Sequence, residues 1–247
     1  MKIGKFGLIN NFLPYYFLEK DGRYEIVEET PKKLAEKIID GSIDYAPIPS
    51  FFYLKKKDVL RRYRFCVASD GEVYSVVVVS KKGRLDDSPI AVTSKSVTSA
   101  SMMEIIKRER YLINKLVPCN GNFFEMMKNY DHALLIGDEA IKARMIFRVV
   151  MDLGEEWKEI TGLPAVFGIS ASLSLKKGIE SVDLDLIESY RKGLASIDEI
   201  VEIASMKFRM PAEFLETYFK NLRHVAGKKE LKSLRVFEEL SHEHGLL

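Results

Sequence analysis

This 247-residue chain is poor in the residues that build disulfide frameworks, metal centres and membrane spans. Its two cysteines, Cys66 and Cys119, share no C-x-x-C spacing and sit in no Cys/His pattern, which excludes a zinc module and a disulfide-stapled fold. They read as buried thiols of a reducing compartment. Of the four histidines, His132 lies in a strand approach and His224, His242 and His244 in a helical tail; His242-Glu243-His244 lacks a third ligand at metal-like spacing. No apolar run approaches the roughly 20 residues that span a bilayer. The N-terminus enters a strand without a basic region, apolar stretch and cleavage site, so a cytoplasmic location is expected. Neither sign of charge is in excess: 38 Lys+Arg against 36 Asp+Glu leaves +2, no field to attract nucleic acid or an anionic membrane. The basic stretch from Lys55 to Arg64 reads as the solvated face of a connecting helix. There is no Walker loop, no GxGxxG after a strand, no GxSxG elbow and no HExxH, so no nucleotide, acyl-serine or zinc chemistry is supported. No cofactor and no metal are expected.

What is present is an ordinary globular composition, 47% hydrophobic and 30% charged, and a plan laid down twice. The strand-like Lys2-Ile3-Gly4-Lys5-Phe6 recurs as Pro89-Ile90-Ala91-Val92-Thr93. A helix followed by Asp44-Tyr45-Ala46-Pro47-Ile48-Pro49-Ser50 recurs as a helix followed by Asp131-His132-Ala133-Leu134-Leu135-Ile136-Gly137. Both correspondences carry one shift, 87 residues (90 − 3 and 131 − 44). Two similar α/β lobes predict a central cleft that closes on a small molecule, with strand-end loops pointing into it.

Thr30-Pro31 predicts a helix start, hydroxyl at the N-cap and proline at the first position, and Asp40-Gly41 its end. Strands are predicted at 2–9, 43–48 and 74–80, the last β-branched on both faces as if covered on both sides. The lobe boundaries fall at 84/85 and 175/176, so 1–84 with 176–247 forms a discontinuous first lobe and 85–175 the second. Beyond residue 178 the chain reads as helical throughout, with a capping box at Ser196-Ile197-Asp198-Glu199, a helix start at Met210-Pro211 and an amphipathic tail from Lys228 expected to pack on the first lobe.

Three polar turns follow strands: Asn10-Asn11, Ser50, and Ser94 to Ser99. A hydroxyl-rich turn feeding a helix N-terminus offers free backbone N–H groups and the positive end of a dipole, a natural seat for a carboxylate; the alternative is plain capping. Asp138, after Gly137, is a general base, an acceptor for a substrate hydroxyl, or the cap of the helix beginning at Glu139. Trp157 reads as an anchor between helix and sheet.

Several segments taken together resemble the chorismate dehydratases of the futalosine route to menaquinone. They are Asn11-Phe12-Leu13-Pro14, Asp44 to Ser50, Ser69-Asp70-Gly71-Glu72-Val73-Tyr74-Ser75-Val76, Thr93 to Ser99, Ala133 to Glu139, Asp152-Leu153-Gly154 with Trp157, and Thr161 to Pro164, with the tail around Tyr218 to Phe237. The resemblance implies a two-lobed type II periplasmic-binding-protein-like fold with a helical C-terminal tail. It implies a cytoplasmic lyase that converts chorismate to 3-[(1-carboxyvinyl)oxy]benzoate and water, with chorismate as its small-molecule partner. Carried onto this sequence, Thr98 and Ser99 hold a substrate carboxylate, Ser50, Ser75 and Gly137 line the rest, and Asn11 acts near the departing hydroxyl. Asn10 and Asn11 are both candidates for that asparagine, and Asn-x-x-Pro spacing favours Asn11. Asp138 or a substrate carboxylate takes the proton. The chain departs from the family at Pro49, where a serine is usual, and near Ser170, where a tryptophan is common. The sister enzyme, 1,4-dihydroxy-6-naphthoate synthase, carries a histidine-glutamate pair at the place of Asp138-Glu139 and a Ser-Pro-Cys-Pro-Asn-Asp opening that is absent here. A non-catalytic receptor for a small carboxylate is the competing class. No pattern in the chain assigns an oligomeric state.

Overall fold

Local chemistry sets the element boundaries. Thr30 Oγ1 accepts the Lys33 N–H at 3.4 Å and Pro31 opens the helix behind it. The computed structural model describes residues 1–247. The chain runs β1 (Lys2–Phe6), a 3₁₀ turn (Ile9–Asn11), α1 (Phe12–Asp21), β2 (Glu25–Glu29), α2 (Pro31–Ile39), β3 (Ala46–Pro49), α3 (Ser50–Lys55) and β4 (Leu60–Ser69). Next come β5 (Val76–Ser80), β6 (Ile90–Thr93), α4 (Val97–Glu109), β7 (Leu116–Cys119), α5 (Phe123–Asn129), β8 (His132–Ile136), α6 (Gly137–Arg144), β9 (Arg148–Asp152) and α7 (Leu153–Thr161). The chain ends with β10 (Ala165–Leu173), α8 (Ile179–Ala195), α9 (Ile197–Phe208), α10 (Ala212–Asn221), β11 (Leu222–Val225) and α11 (Lys228–Glu243). No helix is long and apolar enough to cross a membrane.

Packing divides the chain into two compact units, Met1–Ala68 with Val166–Gly227, and Ser69–Ala165 with Lys228–Leu247. These boundaries differ from the predicted 84/85 and 175/176. The reason is sheet membership: β5 pairs with β8 and β9, which places it in the second unit, and β10 pairs with β3 of the first. A strand buried on both faces carries no mark of which sheet it joins.

The first unit contains a four-stranded sheet, β11-β4-β10-β3, and the parallel pair β1-β2. Ile3, Tyr15, Tyr45, Phe65 and Leu186 form one of its cores. The buried Asp183 carboxylate ties α8 to the strands by accepting Tyr45 Oη (2.6 Å), the Arg64 and Phe65 N–H groups (3.0 Å each) and Ser170 Oγ (3.1 Å). Four donors offset the cost of a buried charge.

The second unit is a five-stranded sheet, β7-β6-β8-β5-β9, with β5 wholly buried. The 87-residue repeat is present in the pairing itself. Ile3 bridges Tyr45 in parallel in the first unit, and Ile90 pairs with His132 in parallel in the second, so both partners move by the same shift (90 − 3 and 132 − 45).

Several local expectations are corrected. Arg61 to Arg64 lie on β4, where exposed Arg62 and Arg64 alternate with buried Tyr63 and Phe65, a strand period that the density of charge obscured. His224 is in β11 rather than a helix. Ser196 makes no side-chain cap: it also closes α8, and its backbone is not extended, so its hydroxyl is not aimed at the next helix. The tail packs in the second unit, where α11 meets α4 and Ser233 Oγ accepts the buried Trp157 Nε1–H at 2.9 Å. Phe237 lies edge-on to the same indole, 5.5 Å between centroids. Trp157, expected to anchor a helix to a sheet, has these partners on helix α11.

Candidate functional site

Strand direction collects the candidate residues at one edge of the second unit's sheet. β6 and β8 are parallel, and β5 runs antiparallel to β8 with Val76 opposite Ile136. The ends of β6 and β8 and the start of β5 therefore share an edge. It carries Ser75, Ser94 to Ser99, and Gly137-Asp138-Glu139, with Asp152 at the end of neighbouring β9. Lys95 Nζ joins two of these loops by pairing with Glu139 Oε1 at 3.1 Å. Ser94 Oγ bonds Asn120 Oδ1 at the end of β7.

The helix after β6 begins at Val97, two residues earlier than the turn suggested, so Thr98 and Ser99 belong to its first turn. Ser96 is the cap: its Oγ accepts the Ser99 N–H at 3.2 Å and lies 2.8 Å from Ser99 Oγ. Thr98 and Ser99 are both buried. Capping is thus assigned to Ser96, not to the two residues proposed to bind a carboxylate.

Asp138 is not a cap either. Helix α6 begins one residue before it, with Ile136 at the N-cap, and Asp138 is a half-buried residue of the first turn. Gly137 has φ of 58°, a conformation that glycine alone adopts without strain, and its N–H donates to the Ser75 carbonyl at 2.7 Å.

The segments around Ser69–Ser75 and Asp152–Gly154, far apart in sequence, lock together. One carboxylate, Asp152, accepts the N–H groups of Val73 (2.9 Å), Tyr74 (2.8 Å), Gly154 (2.9 Å) and Glu155 (3.3 Å). Burial pushes this carboxyl up from its usual range, against the pull of those four amides. Lys158 Nζ pairs with Asp70, and a Cβ at Gly154 would lie 2.3 Å from the Gly71 carbonyl oxygen. The glycine is required by that close approach. Asp152, Tyr74 and Arg144 escaped the sequence reading as site residues; an aspartate closing a strand before an amphipathic helix was the available signal.

The first unit has its own strand-end edge. β1 is parallel to β2, and Gly4 N–H donates to the Tyr45 carbonyl at 2.7 Å, so Asn10-Asn11 and Ser50 follow strands that end on the same side. Asn11 is fully buried: its Oδ1 accepts the Phe6 N–H and its Nδ2 donates to Asn10 Oδ1, each at 3.1 Å. Ser50 opens α3 with Pro49 before it, and its buried Oγ has no hydrogen-bond partner. An unpaired buried hydroxyl is costly, which marks Ser50 as a residue with bonding capacity to spare. A shallow pocket between α1 and α8, lined by Asp21, Arg23, Asp185 and Lys192, contains none of these residues. No three His, Cys, Asp or Glu side chains converge to hold a metal ion.

Two α/β units with parallel strands feeding helices from one edge define a periplasmic-binding-protein-like fold. A crystallised protein from Archaeoglobus fulgidus superposes with a TM-score of 0.81 at 18% identity, covering 100% of this chain and 98% of its own. The alkanesulfonate-binding protein of Xanthomonas axonopodis gives 0.72 at 14% identity, over 100% of this chain and 93% of its own. The chain belongs to the menaquinone biosynthesis family, whose profile matches residues 1–243. It is 27% identical to the chorismate dehydratase of Thermus thermophilus over 243 residues, 91% of this chain and 89% of that protein.

Proposed function

We propose that this protein is a lyase that removes water from chorismate to give 3-[(1-carboxyvinyl)oxy]benzoate. The observation that carries the reading is the similarity to a chorismate dehydratase along nearly the whole chain, within a family of menaquinone biosynthesis. The chemistry suits the residues. The ring C–O bond breaks and its electron pair leaves with the hydroxyl. The neighbouring enol-ether carbon loses its proton, and the C–H electrons complete an aromatic ring. Nothing is oxidised or reduced, and water takes away both fragments. The protein's task is to hold the ring and to stabilise charge as the proton leaves.

The Thr98 and Ser99 hydroxyls take one carboxylate at the first turn of α4, the Ser99 N–H being held by the Ser96 cap. Ser75 and Gly137 bind further along the same edge. Within the first unit, Ser50 carries an unpartnered hydroxyl and is a further candidate for substrate contact. Asn11 hydrogen-bonds near the departing hydroxyl. Asp138, half-buried in the first turn of α6, is one candidate for the base, and a carboxylate of chorismate itself is the other.

The alkanesulfonate-binding protein of like fold supports a second reading, a receptor for a small carboxylate that performs no chemistry. Incubation with chorismate in the presence of chelator, followed by ultraviolet absorbance and product mass, separates the readings. The lyase yields a product lighter by one water. A receptor raises its melting temperature with chorismate and leaves it intact. Turnover of a cyclic futalosine derivative alone would assign the sister activity, 1,4-dihydroxy-6-naphthoate synthase.

A further inference from the structure

Tyr74 is one of three non-glycine residues with positive φ, at 61°. The Ser75 N–H donates to the Val73 carbonyl at 2.7 Å across it, which makes residues 73–75 a γ-turn of the rare, strained hand. Such a turn persists only where its surroundings over-determine it. Here they do. Asp152 holds the consecutive N–H groups of Val73 and Tyr74. Helix α6 holds the consecutive carbonyls that follow: Arg144 Nη1 donates to Tyr74 O at 3.0 Å, and the Gly137 N–H donates to Ser75 O at 2.7 Å. The Arg144 guanidinium also lies over the Tyr74 ring, 4.7 Å from its centroid. A serine could enter β5 through an unstrained turn with far fewer partners. The strain is spent on presenting one residue, buried Ser75, beside the first turn of α6.

The geometry points to Arg144 as a positioning residue, which acts on substrate through Ser75 by fixing the Tyr74 turn against α6. This deepens the proposed function and rests on Ser75 being a substrate-binding residue. Arg144 is the informative member of the clamp because it lies in the last turn of α6, is not among the proposed substrate-binding residues, and its loss removes no buried carboxylate.

A double-mutant cycle tests the coupling. Arg144→Met and Ser75→Ala are each expected to raise KM for chorismate about tenfold, and the double variant to be no worse than Ser75→Ala alone, because neighbours acting through one contact are not additive. Arg144→Lys, which keeps one donor, recovers part of the loss. Multiplying effects in the double variant, or an Arg144→Met enzyme with wild-type KM, overturn the inference. A second measurement needs no substrate: hydrogen exchange of the Gly137 and Ser75 amides should accelerate about tenfold in Arg144→Met relative to amides of β6, as expected for a local opening. Unchanged exchange overturns the inference even if chorismate is turned over. Accelerated exchange in a protein inert toward chorismate supports the clamp and overturns the proposed function instead.

Discussion

Ser96→Ala and Ser99→Ala differ by one hydroxyl position, and the structure separates their consequences. Ser96 Oγ caps α4 through the Ser99 N–H and also bonds Ser99 Oγ, so Ser96→Ala removes a cap worth about 1 kcal/mol and a bond worth about 0.5–1.5 kcal/mol net, together a loss of roughly 3–10 °C in a chain of this size. Ser99→Ala leaves that cap in place and removes only the 2.8 Å bond between the two hydroxyls, about 0.5–1.5 kcal/mol net. For substrate the order reverses. A hydroxyl bonded to a charged carboxylate is worth about 1.5–3 kcal/mol, so Ser99→Ala should raise KM by roughly 10- to 150-fold. Ser96→Ala should leave KM close to wild type. Trp157, the one tryptophan, is buried in the same unit as α4, so its fluorescence reports the melting of that unit, and KM for chorismate is measured on the same preparations. Melting shifts in both variants with KM unchanged in both would reduce Ser99 to helix stability. Ser50 and Ser75 would then be the next residues to substitute, each by itself. Equal rises in KM would show that the cap, not the Ser99 hydroxyl, organises binding.

Two further predictions concern the first unit. Asn11→Ala should lower turnover on the order of 100-fold, the usual cost of a lost transition-state hydrogen bond, and should also lower the melting temperature, because it leaves the buried Phe6 N–H unpaired at about 1–3 kcal/mol. If Asn11→Ala only melts earlier while Asn10→Ala loses turnover, the functional asparagine is Asn10. His224, buried with its Nδ1 at 2.9 Å from the Cys66 carbonyl and stacked on Phe65, is pushed down to about 4 by burial. The unfolded chain then takes up a proton below about pH 6.5 that the folded chain refuses, so this contribution is complete above pH 6.5 and falls away by about 2–3 kcal/mol toward pH 4. His224→Phe should flatten the melting temperature between those values; an unaltered slope would assign the pH dependence to carboxylates.

Elements governed by contacts close in sequence were legible from the residues. The Thr30-Pro31 start and the strand behind Val76 to Val79 follow from capping chemistry and β-branching, which act within a few residues. The repeat was legible for a different reason. Two β-α-β plans of equal length keep the same partner spacing, so a single shift of 87 relates Ile3 and Tyr45 to Ile90 and His132. Among the candidate residues, Thr98 and Ser99 came from a polar turn at a strand end and Ser75 and Gly137 from the family resemblance, and parallel strands bring all four to one edge.

The amino-acid sequence by itself thus determined the α/β alternation, the repeat and the polar strand ends, since each depends on periodicity and local hydrogen bonding. Only the tertiary structure decided which sheet takes β5, where α11 packs, that Ser96 caps α4 and that Asp138 does not cap α6. Only it showed that Asp152 gathers amides from residues 73 and 74, 79 and 78 positions away. A buried strand, an amphipathic helix and a strand-end aspartate each have many possible partners. Which one they take is fixed by packing across the whole unit, where no local rule operates.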